Sequence, residues 1–167
     1  MNRTKNYYDG IARGYARLYH EEQKKKIELL CPFFPKEGIV CDLGSGDGVL
    51  NSYLEKTSVI SLDLSFELLS LNSSACKICV DIEILPFQNE SLQGVCSFTV
   101  LQDTPQPESV IKEVWRTLKN EGIFCVTFLK MSQKAKRIEE TLLENFVVEL
   151  RLEEEKDLLF VCRKIEK

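Results

Sequence analysis

Val40-Cys41-Asp42-Leu43-Gly44-Ser45-Gly46-Asp47-Gly48 runs from an apolar, strand-like segment straight into a glycine loop that opens a helical stretch. Glycines at alternating positions permit positive φ and remove the Cβ atoms that would keep a ligand off the backbone. The spacing is not G-x-G-x-x-G, because the third glycine comes one residue early. An acidic residue, Asp42, also stands two positions before the first glycine. A dinucleotide loop holds a pyrophosphate at a helix N-terminus and is poorly served by a carboxylate there. Asp42 suits a cationic ligand better. Asp63 closes the next strand-like run, about 20 residues past the loop, where a carboxylate can accept both hydroxyls of a ribose. Asp81 closes the third run, within reach of an adenine amino group. Each aspartate has a second reading, since strand-end aspartates also cap helices and Asp63 stands just before Ser65.

Around this loop, apolar runs of strand length recur at 39–41, 59–62, 77–80, 95–100, 123–129, 146–152 and 158–162. Segments with helical spacing fall between most of them: 49–55, 65–71, 109–119 and 132–144. Upstream, Tyr7, Tyr8, Ile11, Tyr15, Leu18 and Tyr19 share one helical face, and Ile27 and Leu30 continue a second helix before Pro32 and Pro35 stop it. Strands alternating with helices predict βαβ units, hence a mostly parallel sheet with helices on both faces. The last two runs are separated only by Glu153-Glu154-Glu155-Lys156-Asp157, too short for a crossover, so they predict an antiparallel hairpin. The expected fold class is therefore α/β, with seven strands and a C-terminal hairpin.

Composition narrows the function. With 167 residues, 44% of them hydrophobic and 29% charged, the chain fits one globular domain. Twenty-two Lys and Arg against 26 Asp and Glu, a net charge of −4, argue against broad attachment to nucleic acid or anionic lipid. No apolar run approaches the ~20 residues of a membrane helix, and the basic N-terminus lacks the apolar core of a signal peptide. A cytoplasmic, membrane-free protein is expected. The seven cysteines, five of them in or beside strand-like runs, read as reduced core thiols. Cys76 and Cys79 form a single knuckle whose members face opposite sides of a strand, so no metal site is expected. Two basic clusters, Lys24-Lys25-Lys26 and Lys130 with Lys134, Lys136 and Arg137, could touch phosphates, but solvated helix faces explain them as well.

Taken with its neighbours, the loop resembles that of class I S-adenosylmethionine-dependent methyltransferases of the small, methyltransferase-11-like type. Tyr8-Asp9-Gly10-Ile11-Ala12-Arg13-Gly14-Tyr15 is similar to the family's lid helix. Asp42 to Gly48 matches its first motif and Asp63 its second. Asp81-Ile82-Glu83-Ile84-Leu85-Pro86-Phe87 resembles its adenine segment, and Glu113-Val114-Trp115-Arg116-Thr117-Leu118-Lys119 its "E-x-x-R-x-L-K" run. The resemblance implies a Rossmann-like sheet in the order 3-2-1-4-5-7-6. It also implies a single methyltransferase domain over residues 1–167, with a helical lid at 1–35 and the core at 36–167. S-adenosyl-L-methionine is the implied cofactor. Gly44, Ser45, Gly46 and Gly48 would pack against its methionine part with Asp42 near the ammonium, and Asp63 would bind the ribose. Leu64 would flank the adenine, Asp81 and Ile82 would read its edge, and Phe98, Thr99 and Gln102 would border the methyl group. Tyr8 and Tyr15 would close over it.

Two departures, Gln93 before the fourth strand and Asn120-Glu121-Gly122 before the fifth, look structural. A third, Val100-Leu101-Gln102-Asp103-Thr104-Pro105, is unlike the N-P-P-Y motif of enzymes methylating amide or adenine nitrogens. No catalytic base stands out. Asp103, Gln102 and His20 are the candidates, and His20, the only histidine, could equally be a solvated helix-end residue. The acceptor is left open between a small molecule, RNA and protein, with an activating partner subunit or RNA as candidate partners. A cofactor-binding subunit or sensor without turnover is the alternative reading.

Overall fold

A computed structural model of the chain describes residues 20–54 and 57–166. A helix, α1, covers residues 20–30 and passes into a single 3-10 turn at Cys31–Phe33, where Pro32 ends it. The elements that follow are β1 (Ile39–Leu43), β2 (Ser58–Asp63), α2 (Phe66–Leu71), β3 (Cys76–Cys79), β4 (Leu92–Phe98) and α3 (Pro107–Thr117). They lead into β5 (Leu118–Leu129), α4 (Ala135–Asn145), β6 (Val147–Glu154) and β7 (Asp157–Arg163). The seven strands form one sheet in the order β3-β2-β1-β4-β5-β7-β6. The first five are parallel to their neighbours, while β7 runs antiparallel to both β5 and β6. This is the α/β architecture and strand order expected from the sequence.

Strand alternation divides the core into two. Along β5 and β7, Phe124, Val126, Phe128, Leu158, Phe160 and Cys162 face a layer that includes Val110, Ile111 and Val114 of α3 and Ile138 and Leu142 of α4. Their neighbours Cys125, Leu159 and Val161 face the opposite layer with Ile27 and Leu30 of α1. Every second residue reaches the other face because strand side chains alternate. Helices covering both faces make β5 and β7 apolar throughout.

Local departures from the expected elements have local causes. Val49–Tyr53 forms a 3-10 turn rather than an α-helix, entered through Gly48 at φ 85°. Helix α3 starts and ends two residues early, with Pro107 in its first turn and β5 following directly at Leu118. Within β5, Glu121 adopts φ 63° and the pairing with β4 jumps from Leu92–Leu118 to Gly94–Ile123, so Asn120-Glu121-Gly122 still turns the chain. Four cysteines, at 41, 96, 125 and 162, are buried thiols, and none of the seven is bridged. Cys79 differs from the core reading, since β3 is an edge strand and leaves it and Cys76 exposed. The basic clusters are largely neutralised within the molecule. Lys24 pairs with Glu21 and Lys25 with Glu155, while Lys136 and Arg137 pair with Glu140 and Glu108. No described helix is long and apolar enough to cross a membrane.

Candidate functional site

In open parallel sheets, ligands lodge beyond the carboxyl ends of the strands where the strand order reverses. Here that point lies between β1 and β4, and a cavity opens there. Asp42, Gly44, Ser45, Gly46, Asp63, Leu64, Asp81, Ile82, Phe98 and Thr99 all line it, so most of the residues singled out in the sequence converge. Asp103 lines it as well. Gly48 and Gln102 do not. Gly48 packs instead against Asn72, whose Oδ1 would lie 2.4 Å from a Cβ at that position. Gln102 turns its amide inward, donating to the Thr99 carbonyl at 2.7 Å and to Asp103 Oδ2 at 3.1 Å. His20 sits at the mouth end of α1, with Nδ1 3.7 Å from Asp47 Oδ2. Tyr8 and Tyr15 lie outside the described residues.

The glycine loop is held open by hydrogen bonds to the next strand. Asp63 Oδ2 accepts from the Gly46 N–H at 2.9 Å and Oδ1 from the Ser65 N–H at 2.8 Å, while the Ser45 N–H donates to the Leu62 carbonyl at 2.9 Å. Both roles foreseen for Asp63 thus meet in one carboxylate. It orders the entry to α2, where Ser65 Oγ accepts from the Leu68 N–H as the N-cap, and a carboxylate retains further lone pairs toward the cavity. Buried Asn72 completes the brace by donating to Ser45 Oγ and the Gly46 carbonyl, both at 3.3 Å. Gly44 adopts φ 67°, and a Cβ there would lie 2.5 Å from Val100 Cγ2. At Gly46, φ is 52° and a Cβ would meet nothing within 4 Å. Gly44 therefore serves packing and Gly46 borders open space.

Asp42 is the electrostatic anomaly. It is buried, and no described residue donates a hydrogen bond to its carboxylate. Desolvation, reinforced by the charges of Asp63 and Asp47, pushes its pKa up to about 8. A carboxyl kept from ionising in this way is a vacancy for a positive group. The charged side chains lining the cavity, among the described residues, are all aspartates: 42, 47, 63, 81 and 103.

The far end of the cavity is fixed by a clamp spread over the sequence. Asp81 Oδ1 accepts from the Glu83 N–H, and Glu83 Oε1 accepts from the Gln106 N–H at the start of α3. Glu113 accepts from the Leu85 N–H at 3.0 Å, and Arg116 donates to the Leu85 and Phe87 carbonyls at 3.2 and 2.9 Å. The E-x-x-R spacing thus places an i,i+3 ion pair where it grips the segment carrying Asp81 and Ile82.

Helix α1 contributes a wall that sequence reasoning missed. Gln23 and Ile27 line the cavity. Lys26, on the same face, is buried and donates to Asp157 Oδ2 at 2.7 Å, Glu22 Oε1 at 2.8 Å and Thr99 Oγ1 at 2.8 Å. In the sequence it looked like one more lysine in a basic run, and its partners are 73 and 131 residues away, so only the fold reveals it. Thr99 itself holds φ 59°, a strained setting for a β-branched residue, costing about 1–3 kcal/mol. Its N–H donates to the Thr127 carbonyl at 2.9 Å and to Thr127 Oγ1 at 3.0 Å.

The comparisons with known proteins agree with this geometry. Residues 41–126, the span from β1 into β5, match the methyltransferase domain family. The chain is 32% identical over 139 residues to the malonyl-[acyl-carrier protein] O-methyltransferase of a Marinomonas strain, and 28% identical over 128 residues to an uncharacterised protein of Methanocaldococcus jannaschii. These alignments cover 75% and 74% of this chain, which spans about half the length of the curated relatives it matches. In fold, it superposes on a chain from the complex of the Haloferax volcanii Trm112 methyltransferase activator with a methyltransferase. The TM-score is 0.82 at 17% identity, covering 95% of this chain and 98% of that one. A SAM-dependent methyltransferase from Aquifex aeolicus gives 0.78 at 14% identity, covering 94% and 98%. With the sheet order, the acidic glycine loop and the matched span in agreement, the chain belongs to the methyltransferase domain family.

Proposed function

We propose that the protein binds S-adenosyl-L-methionine in the β1–β4 crevice and transfers its methyl group to an acceptor. The observation that carries this reading is Asp42, a buried carboxylate without a hydrogen-bond donor, lining the cavity beneath the glycine loop. The ligand's charges fit: its α-ammonium would restore ionisation of Asp42, and the acidic lining is hostile to a dinucleotide's pyrophosphate. Asp63 would accept from the ribose hydroxyls, Asp81 and Ile82 would meet the adenine edge, and Leu64 would flank the ring. Gly44, Ser45 and Gly46 would lie along the amino-acid chain, with Phe98 and Thr99 at its reactive end. Gly48 and Gln102 would act from behind, through Asn72 and Thr99. When bound, the cofactor supplies an electrophilic methyl carbon on a sulfonium. The chain's part is to fix that carbon, exclude water and hold the nucleophile about 3–3.5 Å away in line with the departing sulfur. Asp103 is the candidate to receive a proton from an acceptor that carries one at neutral pH.

Residues 1–19, preceding α1, belong to this reading as a lid, with Tyr8 and Tyr15 closing over the cofactor and the whole chain acting as one domain. An activating partner protein belongs to it too, supported by the shared fold with the haloarchaeal chain from an activator complex. Calorimetric titration tests the cofactor assignment directly. At pH 7, S-adenosylmethionine should bind with release of close to one proton, seen as an enthalpy that varies with the buffer's ionisation heat. Asp42→Asn should abolish that release and weaken binding about tenfold or more, the worth of a charge-assisted hydrogen bond. Binding without proton exchange, unaltered by Asp42→Asn, would overturn the assignment. Transfer of labelled methyl into the RNA, protein or small-molecule fraction of a lysate would then name the acceptor class. A bound cofactor with no transfer, even with candidate partners added, would mark a non-catalytic subunit.

A further inference from the structure

Helix α1 presents Gln23 and Ile27 to the cavity, and neither belongs to the glycine-loop constellation. Gln23 Oε1 is buried without a hydrogen-bond partner. A buried amide oxygen is costly to leave without a donor, and in a cavity wall the missing donor is most simply a ligand's. The position is rigid. One turn on, Lys26 ties the same helix face to Asp157 on β7 and to the Thr99 hydroxyl. That anchor also places Gln23 along the cavity. Thr99 lies between Phe98 and Val100, and Val100 is the residue against which Gly44 packs, so α1 stands over the end assigned to the reactive methyl. The surrounding charge is negative, since Asp103 and Asp47 share the lining and, among the described residues, no lysine or arginine does.

Resting on the S-adenosylmethionine reading above, we propose that Gln23 forms the acceptor subsite and selects an amine as methyl acceptor. An amine N–H donates to Gln23 Oε1, and its partial or full positive charge is favoured by the neighbouring aspartates. A carboxylate or phosphate acceptor offers no donor and meets like charge. The chain therefore differs in acceptor class from the carboxylate-methylating activity named for its Marinomonas relative.

Two ligands isolate this subsite without knowledge of the natural acceptor. Sinefungin carries a protonated amine on the carbon that replaces the sulfonium and its methyl, and S-adenosylhomocysteine is bare there. The two share their adenosine and amino-acid ends. By calorimetry, the full chain should bind sinefungin about tenfold or more tightly than S-adenosylhomocysteine, the gain of one charge-assisted hydrogen bond. Gln23→Leu should bring that ratio close to one with S-adenosylhomocysteine affinity retained, and Gln23→Glu should widen it. Equal affinities in the unsubstituted protein, or a ratio that neither substitution moves, would overturn the proposal. If Gln23→Leu fails to fold, the Gln23→Glu ratio decides alone. Failure of the unsubstituted protein to bind either ligand would instead remove the cofactor reading beneath it.

Discussion

Asp42 shows how a single side chain can carry the sign of a site. Its folded-state pKa of about 8 lies well above that of an unfolded aspartate, so the folded protein keeps a proton that the unfolded chain gives up. Stability is therefore highest below about pH 4 as far as this group is concerned, and it falls by roughly 1.4 kcal/mol per pH unit until the folded carboxyl itself ionises near pH 8. Asn, neutral at every pH, lacks this dependence. Chemical denaturation across pH 5–9 should show Asp42→Asn gaining on the unsubstituted protein as pH rises, levelling off above 8. A parallel pair of stability curves would mean that Asp42 is ionised in the folded protein.

At the scale of elements, α1 matters most because its docking is electrostatic as well as apolar. Ile27 and Leu30 pack into the second core layer, while Lys26 makes a buried ion pair with Asp157, which is 1% exposed. Buried pairs add little net stability when intact, but breaking one strands a charge. Lys26→Met should thus cost about 3–5 kcal/mol. Removing both charges, in Lys26→Met with Asp157→Leu, should recover most of it, as read from denaturant midpoints. The same pair holds the Thr99 hydroxyl, so the double variant should fold yet bind S-adenosylmethionine less well. Glu22 takes part at the edge of this network. Burial raises its pKa, but hydrogen bonds from Lys156 and Lys26 outweigh that and hold it below the usual range.

For the whole molecule, β5 and β7 feed both core layers at once, so neither layer can melt alone. Phe160, stacked on Phe128 at 5.6 Å with an 11° interplanar angle, is wholly buried in the α3–α4 layer. Phe160→Ala should lose about 3–5 kcal/mol, transfer and cavity terms together. Calorimetry should still show one transition, with van't Hoff and calorimetric enthalpies equal. Two separated transitions would contradict the coupling of the layers through the central strands.

Much of this architecture was legible in the residue pattern. Strand periodicity and the five-residue gap after β6 specify the sheet and its hairpin, because alternation and loop length act locally. Asp42, Gly44, Gly46, Asp63 and Asp81 were legible too, since a parallel sheet must carry its strand ends to one edge. Chemistry that depends on contacts across long sequence separations was not. Nothing near Lys26 signals that its charge is buried against Asp157, and nothing near Gln23 marks its amide as facing the cavity. Gln102 belongs to the same class. Its neighbourhood in sequence suggested a cofactor contact, whereas packing turns its amide to support Thr99. The sequence by itself determined the sheet and its ring of aspartates, because those follow from short-range patterning. Which side chains wall the cavity, and which are left without partners, was decided only when the chain closed on itself and excluded water from them.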